Sequence, residues 1–175
     1  MCIRDSLQVE HPVTECIANV DLVREQIRIA EGHPLSFSQD DLCIRGHAIE
    51  IRVYAENARA GFLPDTGTLH RYAPPTGPGV RVDDGVEEGQ DIPIHYDPML
   101  SKLIVYAPNR DAAIDRCIRA IDEYEVSGVH TTLDFGRFAI DHEAFRSGKF
   151  DTHFVDAHFT PDVLERGSDL TDGAV

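Results

Sequence analysis

Val20, Val23, Ile27 and Ala30 recur at steps of three and four, which predicts a helix over residues 21–31 with one apolar stripe. Thr14 or Asn19 can cap its start, and Gly32 and Pro34 end it. Over 44–56 the period shortens to two. His47, Ile49, Ile51, Val53 and Ala55 face one way, and Ala48, Glu50, Arg52, Tyr54 and Glu56 the other. This predicts a strand with one apolar and one charged face. Short strands follow over 68–72 and 80–83, the second turning at Asp84-Gly85 toward Val86. Glycine and proline are dense from Gly61 to Gly79, so the stretch is β with loops rather than helix.

Residues 99–107 read as a mostly apolar strand. Asn109 can cap a helix in which Ile114, Cys117, Ile118, Ile121 and Tyr124 share a face, with Asp111 in the favourable first turn. Gly128 closes that region. A further helix is predicted over 131–142, with Leu133, Phe135, Phe138 and Ile140 available for burial, and a turn over 143–150. From Pro161 the chain is polar and acidic, the pattern of a flexible tail over 161–175. Helix, antiparallel strands, then helices make an α+β domain.

Charge narrows the function classes. Acids number 31 against 16 bases, a net charge of −15, which argues against nucleic acid as partner because such binding draws on basic patches. No run approaches the ~18 apolar residues of a membrane span, so no membrane partner is expected, and there is no signal-peptide core. Cys2, Cys16, Cys43 and Cys117 form no Cys-x-x-Cys pair and read as thiols of a reducing compartment, the cytoplasm. The 9 histidines lack metal spacing. Gly77-Pro78-Gly79 is no phosphate cradle, since the proline removes an amide.

Candidate chemistry rests on Glu10, within Gln8-Val9-Glu10-His11-Pro12, and Arg52. Each is placed on an extended stretch beside a tight turn, as an acid/base and oxyanion pair. The plainer alternative puts Glu10 in a solvated turn and Arg52 in a surface ion pair with a cross-strand neighbour, Glu50 sharing its face. Residue chemistry alone supports an acidic α+β domain with a candidate Glu/Arg site.

The segments Leu7-Gln8-Val9-Glu10-His11-Pro12-Val13-Thr14-Glu15, Val20-Asp21-Leu22-Val23-Arg24-Glu25-Gln26, Arg45-Gly46-His47-Ala48-Ile49-Glu50-Ile51-Arg52, Gly61-Phe62-Leu63-Pro64, Gly79-Val80-Arg81-Val82-Asp83 and Tyr96-Asp97-Pro98-Met99-Leu100-Ser101-Lys102-Leu103 follow in the order found in biotin carboxylase subunits of biotin-dependent carboxylases. The chain resembles most the acetyl-CoA and propionyl-CoA carboxylase type, from Leu7 to about Phe159. The resemblance implies the end of an ATP-grasp region over 7–35 and the biotin carboxylase C-terminal domain over 36–160. It implies a ligase that uses ATP, bicarbonate, magnesium or manganese, and biotin on a separate carrier. Glu10 then corresponds to the base that deprotonates bicarbonate for attack on ATP, giving carboxyphosphate. Gln8 and Val9 correspond to bicarbonate-holding residues, Val9 through its backbone. Arg52 corresponds to the group that stabilises the enolate-like oxygen of the biotin ureido ring, with Glu10 part of the biotin site; a fixed guanidinium suits that developing charge. A carboxylate base must be ionised, which neighbouring cations favour. Thr152 falls near the family's adenine site, and Arg81 in its dimer contact.

The resemblance departs at the start, where the family carries Glu-Met-Asn-Thr-Arg and this chain has Cys2, Ile3, Arg4, Asp5 and Ser6. Cysteine is a poor magnesium ligand and serine a poor substitute for an anion-binding arginine, so no metal ligand is expected to be retained. Residues 1–6 read as a non-native leader, matching the translation of a sequencing-library adapter. The expected parent is an ATP-dependent biotin carboxylase, homodimeric, working with a biotin carboxyl carrier domain and a carboxyltransferase. The chain alone is expected to be inactive, or to serve only as a dimerisation or interaction domain. Glu10 and Arg52 are expected to converge on one pocket, about 4–8 Å apart.

Overall fold

The computed structural model describes residues 6–95 and 97–164. Two helices, α1 (His11–Ala18) and α2 (Leu22–Ala30), precede β1 (His47–Tyr54). Short strands follow: β2 (Glu56–Asn57), β3 (Leu63–Pro64), β4 (Gly67–Thr68), β5 (Arg71–Ala73), β6 (Val80–Asp84) and β7 (Asp91–Ile92). Then come β8 (Met99–Ala107), α3 (Arg110–Asp122), β9 (Glu125–Ser127), α4 (Leu133–Asp141), α5 (Glu143–Ser147) and α6 (Phe154–His158). The mixed helical and antiparallel architecture is the α+β class read from the sequence.

The centre is an antiparallel sheet in the order β1-β8-β6. Its inner face presents Ile49 and Val53 from β1 and Leu103, Val105 and Ala107 from β8, packed with Ala113, Ile114, Cys117 and Ile121 of α3. The helix forms where its sequence asks for it: Asn109 Oδ1 accepts from the Ala112 amide at 2.9 Å, capping a first turn that carries Asp111. Leu103 is fully buried at the middle of β8. Leu103→Ala is therefore expected to destabilise the fold by about 3 kcal/mol through lost transfer energy and the cavity left behind. Urea unfolding should show it as a lower midpoint at unchanged slope.

Several elements differ from the sequence pattern. Helix α1 was not predicted from the sequence; Pro12 sits in its first turn, where a proline sacrifices only an amide that has no helical partner. Asp21, not Thr14 or Asn19, caps α2, accepting from the Arg24 amide at 2.8 Å. The apolar stripe of α2 is not the buried face: Val23 and Ile27 are exposed, and Glu25 is buried instead, holding the Ser36 amide and hydroxyl at 3.0 and 2.6 Å. Strand β1 starts three residues late, leaving Ile44 80% exposed. The cause is Gly46, which turns the chain at φ +67° where any side chain would strike the Ala107 carbonyl and the Tyr106 ring. The single strand expected over 68–72 is two, β4 pairing β7 and β5 pairing β9. Helix α6 was not apparent in the sequence. It docks through Phe154, near Phe138, while Phe159 just beyond it meets Phe135. The leader expected over 1–6, Ser6 apart, lies outside the described residues, as do Tyr96 and the tail beyond Leu164.

Candidate functional site

The outer face of the sheet is set by register. Arg52 on β1 stands opposite Lys102 on β8, and Lys102 opposite Asp83 on β6. Two residues along, Glu50, Ile104 and Arg81 form the neighbouring row. Period-two alternation thus gathers charges from three strands on one face, and α1 lies across β1 and β8.

The segment before α1 is a turn, not the extended stretch expected. The Gln8 carbonyl accepts from the His11 amide at 3.2 Å and contacts its Nδ1 at 2.9 Å, and the Glu10 carbonyl accepts from Val13 at 3.1 Å. This turn swings the Glu10 side chain toward β1. Arg52 Nη2 donates to Glu10 Oε2 at 2.9 Å. The two candidate residues therefore meet, but as a direct pair rather than across 4–8 Å, so a ligand would sit beside them and not between. The side chains are 42% and 55% exposed. A pair this open is worth only about 0.2–1 kcal/mol, too little to explain the arrangement as a stabilising device.

Behind the pair the face is much less exposed. Glu50 Oε1 stands 3.7 Å from Arg52 Nε, and its side chain is 5% exposed. Among the described residues its Oε2 is buried without a hydrogen-bond partner. Burial pushes the Glu50 carboxyl above its ordinary range, against the opposing pull of Lys102 and Arg52. The expected solvated Glu50 is thus corrected: α1 covers this part of the face. Lys102 Nζ donates to the Val9 carbonyl at 3.2 Å and stands 3.6 Å from Asp83 Oδ2. Arg81 grips Asp83 with two bonds of 2.7 and 2.8 Å and donates to Glu15 at 2.8 Å. Burial would raise the Asp83 carboxyl, but Arg81 and Lys102 outweigh it and hold the group below its usual range. Glu15 also accepts from the Leu22 amide at 2.9 Å, tying the start of α2 into the same network.

Of the residues singled out in the sequence, Glu10, Val9, Gln8 and Arg52 come together at this turn, and Arg81 lies at the far end of the charged network. Thr152 does not join them: it is exposed in the turn before α6 and shares no hydrogen bond with the group. Lys102 and Asp83 were missed as site residues. Lys102 is the lone charge in an otherwise uncharged strand, but periodicity alone gives such a charge no partner. Chemically, the rim offers a carboxylate able to accept a proton and a guanidinium able to hold an anion. Among the described residues no group of three or more His, Cys, Asp or Glu side chains could hold a metal ion.

The family model of the Biotin carboxylase C-terminal domain matches residues 50–157, and that of the Carbamoyl-phosphate synthase L chain, ATP binding domain matches residues 1–38. A pyruvate carboxylase subunit of Methanothermobacter thermautotrophicus is 53% identical over 152 residues, covering 87% of this chain and 31% of the relative. The chloroplastic biotin carboxylase 2 of Populus trichocarpa is 47% identical over 152 residues, covering 87% of this chain and 29% of the relative. The chain thus spans about a third or less of these relatives' lengths. The biotin carboxylase domain dimer of Hydrogenobacter thermophilus 2-oxoglutarate carboxylase, solved with MgADP, ADP and bicarbonate, superposes with a TM-score of 0.87 at 44% identity, covering 90% of this chain and 34% of that one.

Proposed function

Because the chain belongs to the biotin carboxylase family, we propose that it supplies the Glu10–Arg52 part of the active site of an ATP-dependent carboxylase. In this reading residues 7–35 end an ATP-grasp region and residues 36–160 form the C-terminal domain. The observation that carries it is the 2.9 Å contact between Glu10 and Arg52, brought together from positions 42 apart and left open to solvent. Glu10 accepts the O–H proton of bicarbonate, and the freed oxygen attacks the γ-phosphorus of ATP, whose bond to the β–γ bridging oxygen breaks to release ADP and give carboxyphosphate. Gln8 and the Val9 backbone hold the anion at the turn. Arg52 then faces the ureido oxygen of carrier-borne biotin as negative charge develops there. The magnesium or manganese implied by the family finds no ligand set among the described residues, and no role assigned to Glu10 or Arg52 passes through it.

The parent is an acyl-CoA carboxylase of the acetyl-CoA or propionyl-CoA type, homodimeric through the region of Arg81, with the carrier and carboxyltransferase supplied by other domains or chains. The motif order supports the carboxylase half of this statement most directly, since choice of acyl group belongs to the carboxyltransferase. Thr152 is assigned to the rim of the adenine site, and the compartment is cytoplasmic. The test is carboxylation of free biotin by an intact carboxylase carrying residues 7–160 of this chain. Bicarbonate-dependent product is expected there and none from the chain by itself; turnover by the chain alone, or none by the intact enzyme, overturns the assignment.

A further inference from the structure

Lys102 raises a question of cost. Its side chain is only 13% exposed, in the central strand of the sheet, with Leu103 and Ile104 beside it fully or almost fully buried. Withdrawing an ammonium from water is unfavourable by several kcal/mol unless it is paired, and a well-packed apolar residue is often no less stable at such a position. The charge must therefore be answered locally, and it is. Its donors reach the Val9 carbonyl at 3.2 Å and Asp83 at 3.6 Å, and its field opposes the burial of Glu50. Asp83 is itself immobilised by the two-bond grip of Arg81, which is fastened to Glu15 on α1. The path from Glu15 through Arg81, Asp83 and Lys102 returns to Val9, so α1 and the turn preceding it are pinned to the sheet from both sides.

We propose that Lys102 is a positioning residue: by holding the Val9 carbonyl it fixes the turn that aims Glu10 at Arg52 and presents the Val9 backbone to the anion. Its role in turnover rests on the carboxylase reading given above; its hold on the turn does not. In this proposal Lys102 contacts no reacting atom. It acts through Val9, and through its place opposite Arg52 in the ladder.

The experiment uses Lys102→Met, which keeps the stem and removes the charge, beside Lys102→Arg, which keeps the charge. The His11 and Val13 amides close the turn, onto Gln8 and Glu10. Their hydrogen exchange in the chain should quicken about tenfold in Lys102→Met, the effect of losing one charge-assisted hydrogen bond, and less in Lys102→Arg. Amides of α3 should not change. The Glu50 carboxyl, followed by NMR, should titrate at higher pH in Lys102→Met, because a nearby cation has gone. In the unmodified chain the Lys102 ammonium protons should exchange slowly and show contacts to Val9, a measurement that survives even if the variants fail to fold. In the intact carboxylase, Lys102→Met should raise KM for bicarbonate about tenfold while KM for ATP holds, with partial recovery in Lys102→Arg. Unchanged turn exchange, or rapid ammonium exchange in the unmodified chain, overturns the proposal. An intact carboxylase without bicarbonate-dependent turnover would sink the functional reading while leaving the exchange results to decide the role of Lys102.

Discussion

Replacing Arg52 by alanine in an intact carboxylase carrying this chain is expected to lower biotin carboxylation about 10²-fold or more, the cost of losing one preorganised donor to a developing oxyanion. The fold should barely respond. Arg52 is a surface residue of β1, and its pair with Glu10 contributes no more than about 1 kcal/mol. One structural consequence does follow. Glu50, buried and 3.7 Å from the guanidinium, loses a neighbouring cation, so its carboxyl should move to still higher pH in the variant. Arg52→Lys tests geometry against charge: an ammonium keeps the cation but not the planar fork, and should recover little. Steady-state carboxylation of free biotin, with thermal unfolding as a control, measures both effects. A loss no larger than the roughly fivefold that 1 kcal/mol accounts for would reduce Arg52 to an ordinary surface ion pair.

Much of the framework was legible because local signals agreed with the tertiary structure. The strand over 99–107 and the helix after Asn109 appear as read, since an apolar run, a capping asparagine and a helical period all point the same way. The alternation of β1 placed Glu50 and Arg52 on one face correctly. It could not reveal that α1 covers Glu50 and leaves Arg52 open, because that depends on α1, a helix the sequence pattern did not predict. Strands of two or three residues, such as β4, β7 and β9, carry no period to read; pairing across distant segments defines them. Helix α2 misled because periodicity reports an apolar face without saying what covers it. Within the described residues the buried position is Glu25, selected by its bonds to Ser36. Lys102 escaped notice for the opposite reason. A single charge in an apolar strand is invisible to pattern, and gains meaning only when the register sets it opposite Arg52 and Asp83.

Glu10→Gln should be as damaging as loss of Arg52, but at a different step. Glutamine keeps the length and shape of the side chain, and its amide oxygen can still accept from Arg52 Nη2, which lies 2.9 Å from the carboxylate. Stability should therefore change by less than about 1 kcal/mol. What glutamine cannot do is take a proton at neutral pH. General-base assistance contributes about 10²–10⁴-fold, so bicarbonate-dependent turnover should fall by at least 10²-fold. The order of events separates the two variants. In the proposed reaction the deprotonation of bicarbonate comes before biotin reacts, so bicarbonate-dependent ATP cleavage measured without biotin should collapse in Glu10→Gln. It should fall less in Arg52→Ala, whose main loss appears when biotin is added. Equal losses in both assays for both variants would mean that the pair acts only as a unit that shapes the turn. Retention of ATP cleavage by Glu10→Gln would remove Glu10 as the base and leave the carboxylate a structural partner of the guanidinium.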